Sequence, residues 1–258
     1  MGNADFGKMA RDYRKHRAGF PAAFFERAAA LGIGLPGQHL LDMGTGTGSL
    51  ARKFAQQGCN VTALDSAMTM LEQAALLDEL AGVNIKYCVA DAEDTGLSSA
   101  RFDVITAGQC WHRFKRGQAA GEACRLLKEG GILAISHFDC LSCPGNIVEA
   151  TESLIKRHNP GWAMGGSSGI YPQWFKDLSD AGFCRIESLS FDVDVVYSHE
   201  DWRGRVRACA GITAGMGTER AALLDQELEA CLMRDFPEAL LVIPHRVFLV
   251  WGKKPANA

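Results

Sequence analysis

Short apolar runs closed by glycine or aspartate alternate, through the first half of the chain, with stretches whose apolar residues recur at helical spacing. PAAFFERAAALGI (21–33) predicts a helix with Pro21 in its first turn and Gly34 beyond its end. HLLDM (39–43) predicts a buried strand, and 49–57 a helix carrying Leu50 and Phe54, closed by Gly58. NVTALD (60–65) reads as a second strand, followed by a helix capped by Ser66 with Met68, Leu71 and Ala75 on one stripe. NIKYCVAD (84–91) and FDVITAG (102–108) are the third and fourth strands. QAAGEACRLLKE (118–129) is a helix stopped by Gly130-Gly131, and ILAISHF (132–138) is a fifth strand.

This order predicts parallel pairing with helices on both faces of one sheet. Beyond residue 138 the regularity breaks. Residues 140–172 hold glycines at 145, 161, 165, 166 and 169 with Trp162 and Tyr171, a pattern expected of a lid or binding loop. Residues 172–183 resume as a helix, 184–197 as a strand and 199–234 as helical segments, and 244–254 is a last strand. No linker divides the chain, so a single domain over 1–258 is expected. It would hold an N-terminal lid or helix (1–37), a ligand-binding core (38–138) and substrate-side insertions (139–172 and 197–243).

Composition narrows the function classes. The 258 residues are 47 % hydrophobic and 22 % charged, an ordinary globular balance, and 27 basic against 30 acidic residues give a net charge of −3. A nucleic-acid partner would call for a broad basic footprint, which is missing; RDYRKHR (11–17) reads equally as a solvated face or a binding site. Nine scattered cysteines fit a reducing cytoplasm, and the single CxxC, Cys140 to Cys143, lacks the second pair a metal site needs, so no metal is expected. No apolar run approaches the roughly 20 residues that span a bilayer.

The chemistry concentrates in LLDMGTGTGSLA (40–51). Gly44, Gly46 and Gly48 allow a sharp turn and close approach of a ligand at the end of the first strand, where open parallel sheets bind their ligands. The spacing is not the G-x-G-x-x-G of a dinucleotide site, and no P-loop lysine follows, so a nucleoside-like ligand is expected and no pyrophosphate is demanded. Asp65 closes the second strand 21 residues after Gly44, where a carboxylate accepts both ribose hydroxyls. Asp91 follows the third strand, placed to reach an adenine amino group beside the backbone of Ala92.

With LLDMGTGTGSLA, VTALDSAMTML, CVADAEDTGL, FDVITAGQCWHRF and EACRLLKEGGILAI in place, the chain resembles the class I S-adenosylmethionine-dependent methyltransferases over residues 38–138. Its flanks, YRKHRAGFPAAFFERAAALG, YSHEDWRGRVRACAGITA and PHRVFLVWGKK, resemble the small-molecule, trans-aconitate-methyltransferase-like branch (methyltransferase type 11). The resemblance implies a Rossmann-like, doubly wound α/β fold of seven strands, the last (246–253) inserted antiparallel between the fifth and sixth. It implies S-adenosyl-L-methionine as cofactor and S-adenosyl-L-homocysteine as product. Gly44, Gly46 and Gly48 would back the methionine part, Asp42 would organise its amino group, and Gln109 would sit near its amino-acid end. Asp65 with Ser66 would hold the ribose, Met68 would pack on the adenine, and Asp91 and Ala92 would face the base.

The acceptor is expected to be a small molecule methylated at oxygen, nitrogen or carbon, handled by a monomer or homodimer. Methyl transfer rests on alignment and exclusion of water, so a general base is needed only where the acceptor must shed a proton. His112 is the candidate base. Tyr13, Trp111, His137, Trp162 and Arg207 are the candidate substrate residues, Arg207 for a carboxylate; Arg14, Arg17, Asp139, Tyr171 and Trp202 stand near them in the pattern. Two other functions fit less of this pattern: a cofactor-binding subunit without turnover, and an NAD(P)-dependent oxidoreductase, against which the glycine spacing speaks.

Overall fold

The computed structural model describes residues 19–209, 212 and 216–256; Tyr13, Arg14 and Arg17 lie outside them. Apolar runs buried on both sides become the central strands, as parallel pairing requires. These are β1 (His39–Met43), β2 (Asn60–Asp65), β4 (Phe102–Gly108) and β5 (Leu127–Cys140), with β3 (Lys86–Val89) short and half-exposed. β6 (Cys184–Ser198) and β7 (Leu240–Lys253) complete a seven-stranded sheet in the order β3-β2-β1-β4-β5-β7-β6. β1 pairs parallel with β2 and β4, β2 with β3, and β4 with β5. Gly130 N donates to Lys254 O at 3.0 Å and Lys254 N to Gly131 O at 2.8 Å, so the start of β5 meets the end of β7 and the two run antiparallel. The last strand thus lies between the fifth and sixth, as the resemblance implied.

The helices are α1 (Ala22–Ala30), α2 (Ser49–Gln56), α3 (Met68–Ala81), α4 (Arg116–Leu126), α5 (Ile147–His158), α6 (Gln173–Asp180), α7 (His199–Arg207) and α8 (Thr218–Asp235). Three expectations need correction. Ser66 does not cap α3: Ala67 is the N-cap residue, and its N–H donates instead to Asp65 Oδ1 at 3.0 Å. The buried positions of α3 are Leu71, Ala74 and Asp78, while Met68 is 56 % exposed. α4 stops at Leu126 because Leu127, fully buried, pairs with Phe102 and starts β5.

Residues 140–172 are not wholly irregular either. Asn146 Oδ1 accepts from Glu149 N at 3.0 Å and Glu149 Oε2 accepts from Gly145 N at 2.7 Å, a reciprocal cap that starts α5. Ile147, Val148, Leu154 and Ile155 then form its buried stripe.

The chain divides into two compact units, each assembled from separate stretches. The larger comprises Gly19–Phe138, Tyr171–Phe191 and the chain from Val247; the smaller comprises Asp139–Ile170 and Asp192–Arg246. The larger unit holds β1–β4 and the apolar centre of β5. The smaller unit has a core of its own, in which α5, α7 and α8 bury Leu154, Trp202, Leu228 and Leu232 with Ile243 of β7. Each such side chain contributes about 1.5–3 kcal/mol by leaving water.

Candidate functional site

The glycine loop between β1 and α2 has all three glycines at positive φ: Gly44 +66°, Gly46 +56° and Gly48 +76°. Their surroundings differ. A Cβ on Gly44 would stand 2.8 Å from Phe114 Cζ and 2.9 Å from Cys110 Sγ, and one on Gly48 2.9 Å from the Tyr87 hydroxyl. A Cβ on Gly46 would meet nothing nearer than Met70 Cε at 3.5 Å. The outer glycines are therefore needed for packing, while the middle one presents bare backbone to open space.

Asp42 holds the loop from beneath. It is 1 % exposed, and its two oxygens accept from Thr45 Oγ1 and Thr106 Oγ1, both at 2.7 Å. Burial pushes its carboxyl up from 3.8 to about 6, against the lowering effect of the two hydroxyls. A carboxyl that binds its proton more tightly folded than unfolded contributes stability at low pH and loses it as pH rises. The window runs from 3.8 to about 6. Compared with Asp42→Asn, the wild-type chain should lose about 3 kcal/mol between pH 4 and 7. Urea unfolding across that range measures it, and a pH-independent difference would show that Asp42 ionises without penalty.

The ends of the next strands meet this loop. Gly46 N donates to Asp65 Oδ2 at 2.9 Å, tying the open glycine to the tip of β2. Ala90 N donates to Asp65 O at 3.2 Å, which brings the end of β3 alongside. Asp91 follows, exposed, in a turn closed by Asp94 N at 3.3 Å, and Ala92 is buried. At the end of β4, Gln109 takes φ +62°, costly for a residue with a Cβ, with its N–H on Ser136 O at 2.9 Å. Cys110 Sγ then reaches Met43 O at 3.1 Å, and burial raises its thiol well above the ordinary range.

Beside these ends lies a set of rings. His137 of β5, 7 % exposed, has its ring centroid 5.5 Å from that of His112 and 4.9 Å from that of Tyr171. Tyr171 stacks on Trp174 at 4.2 Å and 7°. His112 itself is exposed, on the single turn of 3₁₀ helix Trp111–Arg113 that follows β4. The larger unit thus gathers two imidazoles and a phenol at the carboxyl ends of β4 and β5.

A methyltransferase-domain family model matches residues 41–135, a span containing the glycine loop, Asp65, Asp91 and Gln109. A ubiquinone biosynthesis O-methyltransferase of Xanthomonas campestris pv. campestris is 28 % identical over 177 residues, 68 % of this chain and 72 % of that one. The corresponding protein of Cereibacter sphaeroides is 34 % identical over 116 residues, 45 % and 47 % of the two chains. Residues 41–135 thus form a methyltransferase domain, and these matches support a class I S-adenosylmethionine-dependent methyltransferase. A solved structure of phosphoethanolamine N-methyltransferase 2 from Haemonchus contortus, with phosphomonomethylethanolamine and S-adenosylhomocysteine, superposes with a TM-score of 0.57 at 20 % identity. That match covers 98 % of this chain and 58 % of the other, and it shows a shared fold. The cofactor of this methyltransferase is S-adenosylmethionine.

Several expected substrate residues of the methyltransferase are committed elsewhere. Trp111 is fully buried, and its indole N–H donates to Asp177 Oδ2 at 3.0 Å, so its ring has no surface to offer a ligand. Arg207 donates to Asp225 Oδ1 at 2.9 Å and to Glu200 Oε1, which leaves its fork engaged rather than open to a carboxylate. Trp162 packs against the core of the smaller unit. The sequence reading overlooked the supports of the loop. Arg52 donates to Thr47 O at 2.9 Å, Ala74 O at 3.1 Å and Asp78 Oδ1 at 2.7 Å, and Tyr87 OH donates to Asp78 Oδ2 at 2.6 Å. A buried Asp78 on the apolar stripe of α3 was the available signal. Among the described residues, no group of three or more metal-ligating side chains comes together, and no helix is long and apolar enough to cross a membrane.

Proposed function

We propose that this methyltransferase passes its methyl group to a small organic molecule, with the cofactor held at the tips of β1, β2 and β3. The observation that carries this reading is the hydrogen bond from the open Gly46 backbone to Asp65, which makes one cradle of two strand ends. A nucleoside with an amino-acid tail fits such a cradle: bare backbone for the tail and a carboxylate beside it for the ribose. Gly44–Gly48 and Gln109 would hold the amino-acid end, Asp65 and Ser66 the ribose, and Met68, Asp91 and Ala92 the base. Asp42 acts on the loop through Thr45, not on the ligand. Once bound, the cofactor supplies a methyl carbon made electrophilic by a positively charged sulfur.

The chain's own groups would then align the acceptor and remove a proton where it carries one. His112 is the group we assign to the proton, with His137 and Tyr171 orienting the acceptor beside it. The relatives named for O-methylation, and the neighbour holding phosphomonomethylethanolamine, support a small acceptor. The nine scattered cysteines support a cytoplasmic place for it, and it would work as a monomer or homodimer.

The test is calorimetry with S-adenosylhomocysteine, followed by a mass-spectrometric screen of cell metabolites for methylated products. Binding and turnover are both expected, and His112→Gln should slow turnover of a hydroxyl acceptor by roughly 10²-fold with cofactor affinity unchanged. Absence of cofactor binding would sink the cradle; binding without turnover on any acceptor would leave a partner subunit.

A further inference from the structure

Helix α7 carries three arginines two residues apart, and the structure treats them differently. Arg203 and Arg207, one turn apart on the same face, are saturated. Arg203 bonds Asp225 and Glu229, and Arg207 bonds Asp225 and Glu200. Arg205, about 200° around the helix from Arg203, makes no ion pair with any described carboxylate, and its guanidinium carbon lies 5.4 Å from the centroid of the buried Trp202 ring.

That ring belongs to a fixed wall. Trp202 Nε1 donates to Thr151 Oγ1 at 3.0 Å, and Tyr197 packs edge-on against Trp202 at 5.5 Å and stacks on His245 at 5.7 Å. Cys140, Tyr197, Cys209 and Asp139 are the titratable groups whose charge bears on Arg205. One of these is a carboxylate, and it already accepts from Ser167 Oγ at 3.2 Å. His245 adds no positive charge, since burial first, and then Arg205, hold it down at about 4. With its Nδ1 2.9 Å from Ile243 O, the neutral ring carries its proton there and accepts the Tyr197 hydroxyl at Nε2, 3.2 Å away.

We propose that Arg205 is the positive centre of a site in the smaller unit for a small organic anion, a carboxylate or phosphate group that its planar fork grips in two places. Arg205 is half-buried as a residue, backed by an aromatic face and spared the carboxylates that occupy its neighbours, an arrangement suited to a ligand's charge.

The test uses the full chain labelled with ¹⁵N-arginine, the Arg205 Nε–Hε signal being assigned by its loss in Arg205→Lys. Citrate, inorganic phosphate and chloride are titrated at constant ionic strength. A saturable shift of the Arg205 signal is expected with citrate or phosphate and not with chloride, the Arg203 and Arg207 signals holding still. Whichever of citrate and phosphate binds tighter tells carboxylate from phosphate. Arg205→Gln, checked for folding by circular dichroism, should weaken that anion roughly 10- to 100-fold. No saturable shift, or equal shifts at all three arginines, would overturn the site. If calorimetry finds no cofactor binding while the Arg205 shift persists, the methyl-transfer reading fails and the anion site stands.

Discussion

Replacing Gly44 by alanine should cost about 2–4 kcal/mol of stability. The backbone there has φ +66°, a region that costs any residue with a Cβ about 1 kcal/mol or more. The new methyl group would also sit 2.8 Å from Phe114 Cζ and 2.9 Å from Cys110 Sγ. Cys110 is fixed by its contact with Met43 O, so the clash cannot be relieved by a simple swing of a side chain. Overpacking of that kind adds about 1–3 kcal/mol. Gly46→Ala is the control: its φ is similar, but its Cβ meets only Met70 Cε at 3.5 Å, so its stability cost should stay near 1 kcal/mol. Its cost should fall on cofactor affinity instead. Urea unfolding and calorimetry on the two variants separate these effects. Equal destabilisation would mean that the two glycines do not divide packing from binding, and unchanged affinity in Gly46→Ala would place the ligand elsewhere.

Asp65→Ala should weaken S-adenosylhomocysteine binding roughly 100-fold, the loss of one or two hydrogen bonds to a charged acceptor. The same substitution takes the acceptor from Gly46 N and Ala67 N, so the loop and the start of α3 lose their shared anchor. Asp65→Asn separates the two contributions, because one amide oxygen still takes a backbone N–H while the charge that grips ribose hydroxyls is gone. An intermediate affinity is expected for it, with stability near wild type. Calorimetry that finds Asp65→Ala binding as tightly as the parent would remove the ribose assignment and leave Asp65 a turn residue.

The parallel half of the fold was legible because its strands announce their ends: Gly44 just after Met43, Asp65 closing β2 and Gly108 closing β4. Helix α5 escaped notice because the glycines on either side drew attention away from a short signal, Asn146 with Glu149 three residues later. Ser66 looked like a cap by residue type, but α3 starts one residue later, with Ala67 at the N-cap and its N–H held by Asp65. The site divides along the same line. Loop, Asp65 and Asp91 follow from strand order, which sequence carries. Which arginine of α7 is spared carboxylates depends on Asp225 and Glu229, brought over by α8 from a separate stretch. Trp111 likewise looked like a pocket residue until Asp177, distant in sequence, claimed its N–H.

The position of β7 in the sheet bears on how the protein is made. β5 and β6 leave the ribosome well before residues 240–253, yet those residues separate the two in the finished sheet. Until then one margin of β5, whose stretch from 131 to 138 is wholly buried in the end, has no partner and offers a greasy template to any extended segment nearby. β5 and β6 therefore stay parted until residues 240–253 arrive, and the nascent protein depends for that interval on whatever shields the gap.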